Sequence, residues 1–152
     1  MTQNPTNYRQ IFLVDDDQED RELFSEALSG TNQSIKLTEI PSGVKLIEIL
    51  SKDNSVMPEV IFMDINMPKL NGIECLKKIR SISKFKDLKI VIYSTYYLDD
   101  FIEDAFKFGA CIFYVKPRSF TGLQSLITEA LQVNWPEIGE PDKKDFLKIF
   151  SA

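Results

Sequence analysis

Histidine is missing from all 152 residues. Its absence excludes imidazole general acid–base catalysis, imidazole metal ligation and a phosphohistidine kinase core within this chain. Cysteine is scarce. Cys75 and Cys111 form no metal or redox spacing, so free thiols in a reducing compartment are the simple reading. Basic residues are outnumbered, with 18 Lys and Arg against 23 Asp and Glu. A net charge of −5 removes the basic face that nonspecific nucleic-acid binding needs. No apolar run approaches a membrane span, and the opening MTQNPTNYRQ lacks the hydrophobic region of a signal peptide. A soluble, cytoplasmic protein with no membrane contact is therefore expected. Internal repeats and low-complexity tracts are also absent.

What is present fits one ordinary domain. Hydrophobic residues make up 43% and charged residues 27% of a length sufficient for a single core. Short apolar runs at 10–14, 35–40, 60–63, 88–93 and 111–115 read as strands. Between and after them, five segments carry apolar residues at helical spacing. The first, from Glu19 to Ser29, has Leu23, Phe24, Ala27 and Leu28 on one face, with Asp17 as its cap. The second follows Ser42, with a face of Val44, Ile47 and Leu50 widened by Leu46 and Ile49. The others begin at Asn71 or Gly72, at Asp99 and at Leu123. Such alternation predicts an α/β fold: a five-stranded parallel sheet with helices on both faces. Residues 1–9 read as an N-terminal tail, 10–133 as the domain and 134–152 as a C-terminal extension. Within that extension Lys143–Phe150 has the spacing of two helical turns, with Phe146, Leu147 and Phe150 on one side. A helix this short needs a surface to dock on.

The strand ends carry the chemistry. The run Val60–Met63 stops at Asp64, and Pro68 prevents it from continuing as a strand. The first strand delivers Asp15 and Asp16, the fourth Ser94 and Thr95, the fifth Lys116. In a parallel sheet these carboxyl ends share one edge, where open α/β sheets bind ligands. An Asp at a strand end is ordinarily a turn or cap residue. Asp64 departs from that reading because three other strand ends point the same way. Clustered carboxylates need a cation, and oxygen donors select Mg²⁺ or Mn²⁺. Adding a lysine and a hydroxyl gives the inventory for phosphoryl transfer to an Asp carboxylate.

The stretches FLVDDD (12–17), DINMPKLNG (64–72), IVIYST (90–95) and YVKP (114–117) resemble, in order and spacing, the response-regulator receiver domains of two-component signalling. The likeness covers roughly residues 10–133. It implies a flavodoxin-like, doubly wound (βα)5 fold in which Asp64 is the phosphoacceptor. It further implies Asp15, Asp16, Asp64 and the Asn66 backbone carbonyl as metal ligands, Asp16 directly and Asp15 mainly through a bound water. Ser94 and Lys116 would follow the phosphoryl group, with Thr95 where a small residue leaves room. Phe113 would be the switch aromatic beside Ser94. A cis bond before Pro117 is the family's habit. The bulky Tyr96 and Tyr97, the Phe in place of a Tyr at 113, and Arg118 depart from the commonest pattern.

The resemblance implies a stand-alone switch rather than an enzyme, limited to Mg²⁺-dependent self-phosphorylation and self-dephosphorylation. A sensor histidine kinase or phosphotransfer protein is the expected donor; receivers with a long tail resemble those serving phytochrome-like or hybrid kinases. With no output domain visible after residue 133, output is expected through another protein, a further relay step or a homodimer, on the face of helix four, strand five and helix five. Two alternatives stand beside this reading. One is a degenerate receiver scaffold, its site crowded by Tyr96. The other is a haloacid-dehalogenase-type hydrolase, which would want a second Asp where this chain has Asn66.

Overall fold

The computed structural model describes residues 9–31, 33–53 and 56–150. The expected tail at 1–9 lies outside the described residues except for Arg9, which opens the first strand. The elements alternate as follows: β1 (Arg9–Val14), α1 (Gln18–Ser29), β2 (Ile35–Ile40), α2 (Gly43–Leu50), β3 (Val60–Met63) and α3 (Gly72–Arg80). After a 3₁₀ turn come β4 (Ile90–Ser94), α4 (Asp99–Lys107), β5 (Phe113–Val115) and α5 (Phe120–Gln132). A second 3₁₀ turn at Trp135–Glu137 leads to α6 (Lys143–Phe146) and β6 (Leu147–Lys148).

Successive side chains of a strand face opposite ways, and that alternation divides the core. Phe12, Val14, Ile61, Met63, Ile90 and Ile92 pack on one face with Leu46, Leu76, Ile79 and Ala105 from α2, α3 and α4. Ile11, Leu13, Val60, Phe62, Val91 and Tyr93 pack on the other with Phe24, Leu126 and Ile127 from α1 and α5. Both faces of the central strands are therefore covered, which is why β3 and β4 read as unbroken apolar runs. The order is β2-β1-β3-β4-β5-β6, with every described pairing parallel. The connections leave β1 toward β2 and then cross back to β3. This reversal opens a crevice at the carboxyl ends of β1 and β3.

The sheet is the expected parallel one with helices on both faces, and it carries one strand more. Residues 143–150 do not make two helical turns. The helix is four residues long, and Leu147–Lys148 then pairs with β5, Phe113 opposite Leu147 and Tyr114 opposite Lys148. A two-turn helix is marginal in water, whereas the open edge of β5 offers unpaired backbone groups, so pairing wins. Two helical faces also differ in detail. In α1 Phe24, Ala27 and Leu28 are buried while Leu23 is exposed, and in α2 Leu46 and Leu50 are buried while Val44 is exposed. The Lys116–Pro117 bond is trans, since no described peptide bond is cis; the two isomers of an X–Pro bond lie close enough in energy that sequence alone does not select one.

Candidate functional site

β1 and β3 run side by side with Val14 opposite Met63, and the next residue of each is a carboxylate. Ladder bonds fix both: the Asp15 N–H donates to the Ile40 carbonyl and the Asp64 N–H to the Val14 carbonyl, at 3.0 and 2.9 Å. Asp15 is fully buried and Asp64 6% exposed, whereas Asp16 faces solvent. The loop after Asp64 is held tight by α3. The Gly72 N–H donates to the Ile65 carbonyl at 2.9 Å, and a Cβ at Gly72 would collide with the Asp64 carbonyl oxygen. Asn71 caps α3 in a reciprocal box with Glu74, which fixes where the loop ends. Lys69 takes up the bend at φ 69°.

Asp15, Asp16 and Asp64 each offer an oxygen within 4.8 Å of the others. Carboxylates that close repel unless a cation lies among them, and this set contains oxygen donors alone. It fits a hard divalent ion such as Mg²⁺ or Mn²⁺. Burial pushes the Asp15 carboxyl up to about 6, against the pull of Lys116.

Lys116 follows β5 and reaches across the crevice. Its Nζ donates to Asp15 Oδ2 at 2.7 Å, Asp20 Oδ2 at 2.8 Å and Asp64 Oδ2 at 3.3 Å. An ammonium has three N–H groups, so all are engaged. Burial disfavours its charge, but Asp64 and Asp15 outweigh that and hold Lys116 above its ordinary range. The other Asp64 oxygen, Oδ1, accepts the Ile65 N–H at 2.8 Å. Both carboxylate oxygens of Asp64 are therefore hydrogen-bonded.

Ser94 is buried, and its Oγ accepts the Tyr96 N–H at 3.0 Å, which leaves the hydroxyl proton free to donate. Tyr96 does stand at the mouth: its hydroxyl accepts a long bond, 3.4 Å, from Asn66 Nδ2. Thr95 is exposed beside it. Asp17 is a helix cap, accepting the N–H groups of Glu19 and Asp20. Phe113, opposite Ile92 in the β4–β5 ladder, is fully buried with its ring 6.4 Å from that of Phe146.

Five of the expected residues therefore converge: Asp15, Asp16 and Asp64 together, with Lys116 bonded to two of them and Ser94 on the neighbouring strand. Asp20 is the one that sequence reasoning missed. It sits in the first turn of α1, where an acidic residue reads as a dipole partner. Only the tertiary contact, the Lys116 Nζ at 2.8 Å, marks it out from an ordinary acidic helix start.

The comparisons with known proteins point one way. The family model for the response regulator receiver domain matches residues 11–128. The chain is 31% identical over 110 residues to the transcriptional regulatory protein DegU of Brevibacillus brevis, a match over 72% of this chain that spans only 44% of DegU. It is 31% identical to the chemotaxis protein CheY homolog of Campylobacter jejuni, over 80% of this chain and 91% of that protein. Among solved structures, the phosphorylated cyanobacterial phytochrome response regulator RcpA superposes with a TM-score of 0.76 at 25% identity, over 87% of this chain and 96% of RcpA.

Proposed function

The chain belongs to the response regulator receiver family, a family of phosphorylatable signalling switches, and from that membership we propose that Asp64 is its phosphoacceptor. The donor is a phosphohistidine on a sensor histidine kinase or phosphotransfer protein. An Asp64 oxygen forms the new bond to phosphorus as the bond to the donor imidazole nitrogen breaks, and that nitrogen leaves with the electron pair. The observation that carries this reading is the Lys116 ammonium placed against Asp64 at the β1–β3 crevice.

Asp15, Asp16, Asp64 and the Asn66 carbonyl would hold Mg²⁺ or Mn²⁺, and the ion would supply charge neutralisation for an anionic phosphoryl group. The rest falls to the chain itself. Lys116 gives up a carboxylate partner and donates to a phosphoryl oxygen. Ser94 turns its free proton toward another. The phosphoryl group adds roughly 1.5 to 2 negative charges, and charge-assisted bonds of about 1.5–3 kcal/mol each give the phosphorylated state its preference for the rearranged strand ends. Asn66 holds no carboxylate, so the second acid of a hydrolase is missing, and family membership favours the switch over that reading.

The test is Mg²⁺-dependent binding of beryllofluoride, a phosphoryl mimic, followed by amide chemical shifts in wild type and Asp64→Asn. Saturable binding in wild type alone is expected, with shifts reaching Ser94 and Lys116. Equal binding by the variant would overturn the assignment of Asp64, and no binding by either protein would put the scaffold reading first.

A further inference from the structure

Residues Asp142–Phe150 lie across three elements, anchored at three points. Lys143 Nζ pairs with Glu103 of α4 at 2.8 Å. The Phe146 ring inserts between Phe106 of α4 and Phe113 of β5, with centroids at 5.2 and 6.4 Å, and is 2% exposed. Phe150 leans on Tyr114 of β5 at 6.1 Å and borders α5 beside Gly122. Between these anchors β6 extends the sheet.

Nothing in this segment is stable alone. A four-residue helix and a two-residue strand lie far below the lengths that hold up in water. Its tether passes through Gly139, which has open space around it, and Pro141. The surface beneath has the character of a recognition site. The outer edge of β5 presents backbone donors and acceptors, and α4 has one fully buried residue, Ala105, with Phe101, Ile102 and Phe106 only partly covered. A sheet edge beside an apolar helix accepts an added strand: main-chain bonds supply affinity, and pockets for side chains supply specificity.

We propose that the α4–β5–α5 face is a strand-addition site for a partner peptide bearing a basic residue three positions before an aromatic one, and that residues 142–150 occupy it in cis until such a partner displaces them. The chain's own Lys143 and Phe146 show what the site accepts: a cation opposite Glu103 and a ring between Phe106 and Phe113. The tail also borders the phosphoryl chemistry. Ile149 and Phe150 share the walls of a cavity of about 450 Å³ with Thr95, Tyr97, Lys116 and Arg118, so a rearrangement at Thr95 and Lys116 meets the tail directly. The proposal rests on the receiver reading only in treating this face as the output surface.

The experiment uses the full chain and a fluorescein-labelled peptide of residues 141–152 as probe. Wild type should bind it weakly, because the face is filled. Full-length Phe146→Ala should bind at least about tenfold more tightly, and adding Glu103→Lys should reverse most of the gain. Lys143→Glu, an exposed change that leaves the core alone, should open the face by a smaller factor. Equal affinity of wild type, Phe146→Ala and Lys143→Glu for the probe would overturn the proposal, as would insensitivity to Glu103→Lys. A wild-type dimer in sedimentation, with tails exchanged between copies, would also overturn it, since the occupant would then be a second copy. Beryllofluoride binding on the same samples separates the two readings: its loss strikes the phosphoacceptor assignment, while the probe titration judges the tail.

Discussion

Lys116 has a carboxylate for each of its three N–H groups, and one of them, Asp20, lies outside the metal-type cluster. Under the proposed assignment, a phosphoryl oxygen on Asp64 would compete for that ammonium. Asp20→Asn leaves Lys116 freer and takes one negative charge from the vicinity. Because the Asp20 side chain is 35% exposed, solvent screens the effect. Beryllofluoride affinity at saturating Mg²⁺ should rise about 3-fold; a fall would mean that Asp20 positions the lysine instead of competing for it. Asp15 gives a pH dependence. Its folded-state pKa of about 6 stands above the ordinary 3.8 because burial disfavours the carboxylate. The proton is held more tightly in the folded state than in the unfolded one. Asp15's contribution to the stability of the metal-free protein should therefore be greatest where it is neutral and should fall as pH rises from about 4 through 6. Urea midpoints between these pH values should show that fall in wild type and lack it in Asp15→Asn. Lys116 runs the other way: its raised pKa keeps its contribution intact through neutral pH.

At the scale of elements, the start of α3 sets where Asp64 sits. Gly72 is required by contact with backbone: any side chain there meets the Asp64 carbonyl. Gly72→Ala should cost about 1–3 kcal/mol through overpacking. The same collision displaces Asp64, so beryllofluoride affinity should fall as well. Chemical denaturation and the beryllofluoride titration check the pair, and a stability loss with unchanged affinity would show that the loop absorbs the strain away from the site. This glycine was visible in the run DINMPKLNG, but its reason was not, because the close approach joins a loop to a helix across eight residues of chain. The pattern of the first five strands, the caps at Asp17 and Ser42, and the convergence of Asp15, Asp64, Ser94 and Lys116 on one edge were legible, whereas the cap at Asn71 was left open between Asn71 and Gly72. Asp20 was hidden because a helix start explains an acidic residue without reference to any site.

Over the whole molecule, the acidic crevice is a local excess of charge within a chain already at −5. A cation bound there stabilises the folded state by mass action. Mg²⁺ at ten times its dissociation constant should add about 1.4 kcal/mol. Thermal melts with and without Mg²⁺ measure this, and Asp16→Asn, an exposed change, should remove most of the gain while leaving the metal-free melt close to wild type. An equal Mg²⁺ effect in the variant would place the ion elsewhere. Among the described residues no helix is long and apolar enough to cross a membrane.

The sequence by itself determined the alternation of strands and helices, the parallel sheet and the edge on which the acids, the hydroxyl and the lysine meet. These follow from local periodicity, from the crossover rule and from residues standing at strand ends. Tertiary structure alone decided the fate of the tail and the company of Lys116. Residues 143–150 carry a helical pattern, yet the open edge of β5 and the gap between Phe106 and Phe113 draw Leu147 and Lys148 into a strand and bury Phe146. The aromatic at 113 faces that tail for the same reason. Lys116 meets Asp20 because the β1–α1 and β5–α5 connections, distant in sequence, come together at the same edge of the sheet. Each outcome depends on the surface that distant parts of the chain build together, and no short stretch of sequence contains that surface.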